Sequence, residues 1–195
     1  MKRIIVCVCA WILAGCVDVK IASSVDKVSY LSLQPFAQSQ SPCKQNKKVA
    51  LLDIRSNAPY ENTNIYVFDA KYSQMHTLSS KKWIAPPQDL LKTALLLKAQ
   101  SQCLEFSLPP LGTQSFDMMF KLSLLSFHIV EENCAYKAQV SVFYELISLK
   151  NHKSKSASIV SSIALESLNE AQIASSFTKA SDEILTRLLK AVQSF

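Results

Sequence analysis

The chain reads as a single α+β domain, a mixed β-sheet of about five to seven strands with two main helices packed on it. Three observations carry this reading. Residues 118–148 alternate apolar and polar side chains through two long runs joined by one turn, the pattern of a half-buried hairpin. Segments 87–101 and 173–195 repeat their apolar residues at spacings of three and four, which is the period of an amphipathic helix. With only two glycines, Gly15 and Gly112, in 195 residues, no dinucleotide fingerprint, P-loop or nucleophile elbow can be built, since each needs several glycines close together. A composition 49% hydrophobic and 18% charged belongs to a chain with a core, not to a disordered one.

Lys2 and Arg3 open the chain, and Ile4 to Leu13 follow without a charge. Asp18 and Lys20 end the apolar run short of the ~20 residues that a spanning helix needs, so the segment reads as a secretory signal. Its closing tetrapeptide, Leu13-Ala14-Gly15-Cys16, resembles the lipobox of bacterial lipoproteins. The resemblance implies cleavage after Gly15, a diacylglyceryl group on the Cys16 thiol and a fatty acyl group such as palmitate on the new amino terminus. It divides the chain into a lipoprotein signal peptide (1–15), a tether (16–29) and the α+β domain (30–195). Val17 stands where the inner-membrane retention signal has an aspartate, which implies the periplasmic face of an outer membrane. Two or three acyl chains hold a protein on a bilayer almost permanently, each buried CH₂ contributing ~0.8 kcal/mol.

The formal charge of +6 becomes milder once Lys2 and Arg3 leave with the signal, and the basic residues are scattered, so nucleic acid is not indicated. Of six cysteines, Cys7 and Cys9 belong to the signal and Cys16 to the lipid. Cys43, Cys103 and Cys134 remain, an odd number in an oxidising compartment, and predict one disulfide with one thiol left over. The spacing leaves the pair open. His76, His128 and His152 stand apart and form no zinc-ligand spacing, so neither a metal nor a cofactor is expected.

Along the mature chain, Tyr30 to Leu33 is a short strand signal and Gln34 to Lys48 a polar loop. Val49 to Ile54 and Asn64 to Phe68 read as strands, Gln74 to Leu78 as a weaker one. Tyr60, Tyr66 and Tyr72 are expected as buried strand aromatics, the lining of a surface groove being the alternative. Pro87 suits the first helical position, where its missing N–H costs nothing. In the helix that follows, Leu90, Leu91, Ala94, Leu95 and Leu97 form one stripe. Leu96 falls opposite it and is a candidate partner contact. Leu104 to Leu108 is a strand stopped by Pro109-Pro110. From Met118 the apolar residues sit at even positions to Leu124, then at odd positions Phe127 and Ile129; this change of phase predicts a β-bulge at Leu125-Ser126. Tyr136 to Leu146 return on one face, Asn151 to Ser156 is a basic turn, and Ala157 to Leu165 is a last strand. Asn169 with Gln172 resembles a capping box before the terminal helix, whose stripe runs through Ile173, Phe177, Ala180, Ile184, Leu188, Ala191 and Phe195.

Taken in order, the lipobox, the Tyr30-Leu31-Ser32-Leu33 strand, the strands at 49 and 64, the Trp83-Ile84-Ala85-Pro86-Pro87 junction opening a leucine-rich helix, and the terminal amphipathic helix resemble the ABC-type transport auxiliary lipoprotein family, to which paraquat-inducible protein C belongs. Lys82 stands where that family commonly has an arginine, and Ile84 separates the tryptophan from the alanine. The resemblance implies a non-enzymatic part of a phospholipid transport system, with an MCE-domain periplasmic protein as partner. Trp83 itself reads first as a core or hinge aromatic and second as a candidate partner contact. Phospholipid itself and further copies of the chain are other partners in view. The alternative is a lipoprotein that assists assembly or regulation of another cell-envelope machine.

Overall fold

A computed structural model describes residues 27–34 and 47–195. The elements are β1 (Ser29–Leu31), β2 (Lys47–Ser56), β3 (Asn64–Asp69), β4 (Gln74–Trp83), α1 (Pro87–Gln100), β5 (Leu104–Ser107), β6 (Met118–Glu132), β7 (Ala135–Ser148), β8 (Ser154–Leu165) and α2 (Glu170–Ser194). The fold is the single α+β domain with two helices on a mixed sheet. The sheet has eight strands, slightly more than the sequence suggests.

The long strand β6 is the axis of the sheet. On one side it pairs antiparallel with β7 along its whole length, and β8 extends that side. Its other edge is shared by two parallel strands laid end to end. β2 pairs with residues 118–124 and β3 with residues 128–131. Segment 57–63, which contains a cis Ala58-Pro59 bond, makes an excursion between them. β5 lies outside β2, while β4 and then β1 lie outside β3.

The register of β6 against β7 shifts between Leu124 and Ser126, which places the bulge at Leu125 as the change of alternation predicts. Met118, Phe120, Leu122 and Leu124 before it and Phe127 and Ile129 after it are all buried under the helices. Without the extra residue, the second half of the strand would turn its large side chains to the opposite face.

Both helices lie on this one face. α1 starts with Pro87 as its first residue, and Gln88 Oε1 accepts bonds from the Ser56 backbone N–H at 3.1 Å and the Ser56 hydroxyl at 2.7 Å. The helix entry is thereby tied to the end of β2. α2 is capped by Asn169, whose side chain accepts the Gln172 N–H at 2.9 Å. It buries Leu185, Leu189 and Val192 besides the predicted stripe, because it lies across the wide middle of the sheet.

Four local expectations are corrected. β2 begins at Lys47, inside the expected loop, because parallel pairing with β5 starts there. β4 runs on from Leu78 to Trp83, since the polar stretch 79–82 is held between β1 and β3. β8 starts at Ser154 rather than Ala157, for its pairing with β7 covers the supposed turn. In α1, Leu97 is exposed and Ala99 buried: the helix sits near the edge of the sheet and rests on Leu91, Ala94, Leu95 and Ala99, so its stripe is rotated.

Candidate functional site

Where β2 stops and β3 has not begun, the edge of β6 lacks a neighbouring strand, and one side chain fills the gap. Segment 57–63 carries Tyr60 back onto the sheet face turned away from the helices, where it is buried. Its ring stacks on His128 with centroids 5.9 Å apart, and Tyr66 meets it edge-on at 6.1 Å. Phe68 tilts against the imidazole at 5.8 Å. The Tyr60 hydroxyl lies 2.6 Å from His128 Nδ1 and is also reached by the backbone N–H of Phe127, next to the bulge.

Burial pushes the Tyr60 phenol up and the His128 imidazole down from their ordinary values, so both are neutral near pH 7. The phenol therefore donates to Nδ1, and the imidazole proton sits on Nε2, an assignment that follows from the bonding pattern. Beside it Ser126 and Ser141 share a buried hydroxyl–hydroxyl bond of 2.6 Å, and Gln139 Nε2 donates to Ser126 Oγ at 3.5 Å. The cluster closes a break in the ladder and seats segment 57–63.

Two clefts flank α1. One of about 300 Å³ lies between α1 and β5, with Leu96, Leu104, Phe106 and Leu108 in its wall. The other, about 250 Å³, is walled by Leu33, Leu90, Ala94 and Leu97. Among the described residues, no group of three or more histidine, cysteine, aspartate or glutamate side chains could hold a metal ion. Nor is any described helix long and apolar enough to cross a membrane.

The residues singled out by sequence are dispersed. Cys16 and Cys43 lie outside the described residues, as do the segment read as a signal peptide and most of the one read as a tether. Cys103, just after α1, is disulfide-bonded. Cys134 is a free, exposed thiol at the tip of the β6–β7 hairpin. Leu96 is half-buried in the wall of the first cleft. Trp83 is a core aromatic, as its first reading expects: it is 0% exposed, with Phe127 at 5.3 Å and Phe177 at 5.0 Å edge-on to its ring, so the second reading, a partner contact, is corrected. Tyr72 is likewise corrected, for it is exposed in the β3–β4 turn. Sequence reasoning missed the Tyr60–His128 pair. Its only local signal is a histidine set between the apolar Phe127 and Ile129 of β6.

No protein-family model matches the sequence, and no curated protein matches it. The fold has solved counterparts. It is similar to a Xanthomonas campestris protein of family DUF330, at a TM-score of 0.70 and 12% identity over 83% of this chain and 93% of that one. A second structure, of an uncharacterized protein, gives 0.67 at 10% identity over 85% and 99%. A lipoprotein from Neisseria meningitidis gives 0.39 at 8% identity over 76% and 99%. The first two show that the arrangement of sheet and helices is one that other chains adopt with almost unrelated sequences.

Proposed function

We propose that the protein is an outer-membrane-anchored periplasmic lipoprotein, acting as a non-enzymatic auxiliary component of an ABC/MCE-type phospholipid transport system. The observation that carries this reading is the Leu13-Ala14-Gly15-Cys16 tetrapeptide standing ahead of one compact domain. Its sheet and helices match the DUF330 fold over most of both chains, which is compatible with it. The junction from Trp83 to Pro87 supports the reading through its family resemblance, although its role in this chain is internal: it turns the end of β4 into α1.

In this role the acyl chains on Cys16 hold the domain at the leaflet, and the folded body receives the far end of an MCE-domain protein that bridges from the inner membrane. Affinity purification of the lipidated chain from its native membranes tests the idea. An MCE-domain protein is expected in the eluate, and deletion of the lipoprotein should make the outer membrane leaky to detergents. Native complexes without any such partner would overturn the transport role while leaving the anchor untouched.

A further inference from the structure

The sheet ends on β8, and the outer edge of that strand has two unlike halves. Lys153 gives its carbonyl to the Ser148 N–H at 2.9 Å, so odd-numbered residues turn their backbone groups toward β7 and even-numbered ones turn theirs outward. In the C-terminal half, α2 takes up two of the outward carbonyls. Arg187 Nη1 donates to Val160 O at 3.2 Å, and Ser176 Oγ donates to Ala164 O at 3.2 Å. An unpaired edge is a template for another strand, and side chains laid over it close it. Glu183, which accepts the Ser161 hydroxyl at 2.6 Å, adds negative charge on the same stretch.

The N-terminal half is bare. Its register with β7 is unbroken and it contains no proline, and among the described residues no side chain bonds the outward backbone groups of Ser154, Ser156 or Ser158. The charge here is of the other sign. Lys153 and Lys155 are exposed on one face, and neither has an ion-pair partner among the described residues. Exposed Lys190 follows Arg187 by one turn of α2. The neighbouring carboxylates are engaged: Asp117 with Lys150 at 2.8 Å, and Glu145, opposite Ser156, with Lys121 at 3.4 Å.

We propose that the Ser154–Ser158 edge of β8 docks an extended acidic segment of a partner protein, which adds to the sheet as a further strand. Main-chain bonds to Ser154, Ser156 and Ser158 align the segment, and carboxylates two residues apart on its near face meet Lys153 and Lys155. Arg187, Ser176 and Glu183 end the docked strand before it reaches the C-terminal half. The inference rests on this edge alone and not on the transport reading.

The test uses the full lipidated chain in detergent micelles and a fluorescein-labelled short peptide alternating glutamate and valine. Saturable binding is expected, with slowed amide exchange at Ser156 and Ser158. Combining Lys153→Glu with Lys155→Glu should weaken it by roughly tenfold or more. Ser156→Pro removes one outward N–H without touching the ladder to β7, and should abolish binding at an unchanged melting temperature. A peptide methylated on alternate amide nitrogens should also fail. Equal binding of the methylated peptide, or by the Ser156→Pro chain, overturns strand addition. Binding of phosphatidylglycerol vesicles through the same lysines with the peptide inert assigns the edge to a lipid surface instead. Self-association that buries Ser156 and excludes the peptide assigns it to a second copy.

Discussion

The Tyr60 hydroxyl lies 2.6 Å from Nδ1 of His128, across the one place where the β6 edge has no strand beside it. Because burial holds the imidazole below its ordinary value of about 6.5, the unfolded chain binds more protons than the folded one as the pH drops. The stability this group contributes is present above that value and lost as pH falls through the folded one. Melting temperature should therefore decline on acidification from pH 8 to pH 5, and Tyr60→Phe should cost about 1–3 kcal/mol at neutral pH. A His128 titration by NMR at or above the ordinary value would refute the assignment.

Trp83 packs edge-on against both Phe127 and Phe177, whose own rings stack at 4.6 Å, and its indole N–H has no partner among the described residues. Trp83→Ala should cost about 3–5 kcal/mol in urea unfolding. Trp83→Phe should cost far less, since it keeps ring packing and removes a buried donor left unbonded. Equal losses in the two variants would contradict this account.

The Arg187 and Ser176 bonds to the β8 carbonyls cover an edge next to exposed Val160. Replacing both residues by alanine should change stability by only about 1 kcal/mol per bond. Sedimentation should nevertheless show larger species than the parent chain at equal concentration. An unchanged sedimentation profile argues against any guarding role.

Cys134 is free and exposed while Cys103 is bonded. Non-reducing peptide mapping of native material should yield a Cys43–Cys103 peptide and an alkylated Cys134. Reduction should lower stability by about 3–4 kcal/mol, the scale expected for a long closed loop. Recovery of all three as thiols would remove the bridge.

Cys16→Ser should leave an unlipidated chain with its signal uncleaved or misprocessed. Metabolic labelling with a radioactive fatty acid reads this directly, and a variant that still takes up label disproves the anchor.

Much of the local structure was legible before any coordinates. The phase change at Leu125 is visible because alternation has a period of two, and a single extra residue reverses it. The Asn169 cap and the Pro87 start are legible because a side-chain acceptor close in sequence satisfies a helix-end N–H, while proline at the first position simply lacks one. The exposed Leu97 and the three extra residues of β8 were not, because each depends on how a distant element lies against it. The same holds for Trp83: nothing near it in the chain announces Phe177.

Sequence alone determined the apolar stripe of the terminal helix, the hairpin with its bulge and both helix starts, all of which act between residues a few positions apart. Tertiary structure decided that Tyr60 meets His128, that Trp83 is sealed in the core and that one half of β8 is covered by α2. Those outcomes come from strand pairing and helix docking between segments remote in the chain, and period and propensity carry no information about which remote partner arrives.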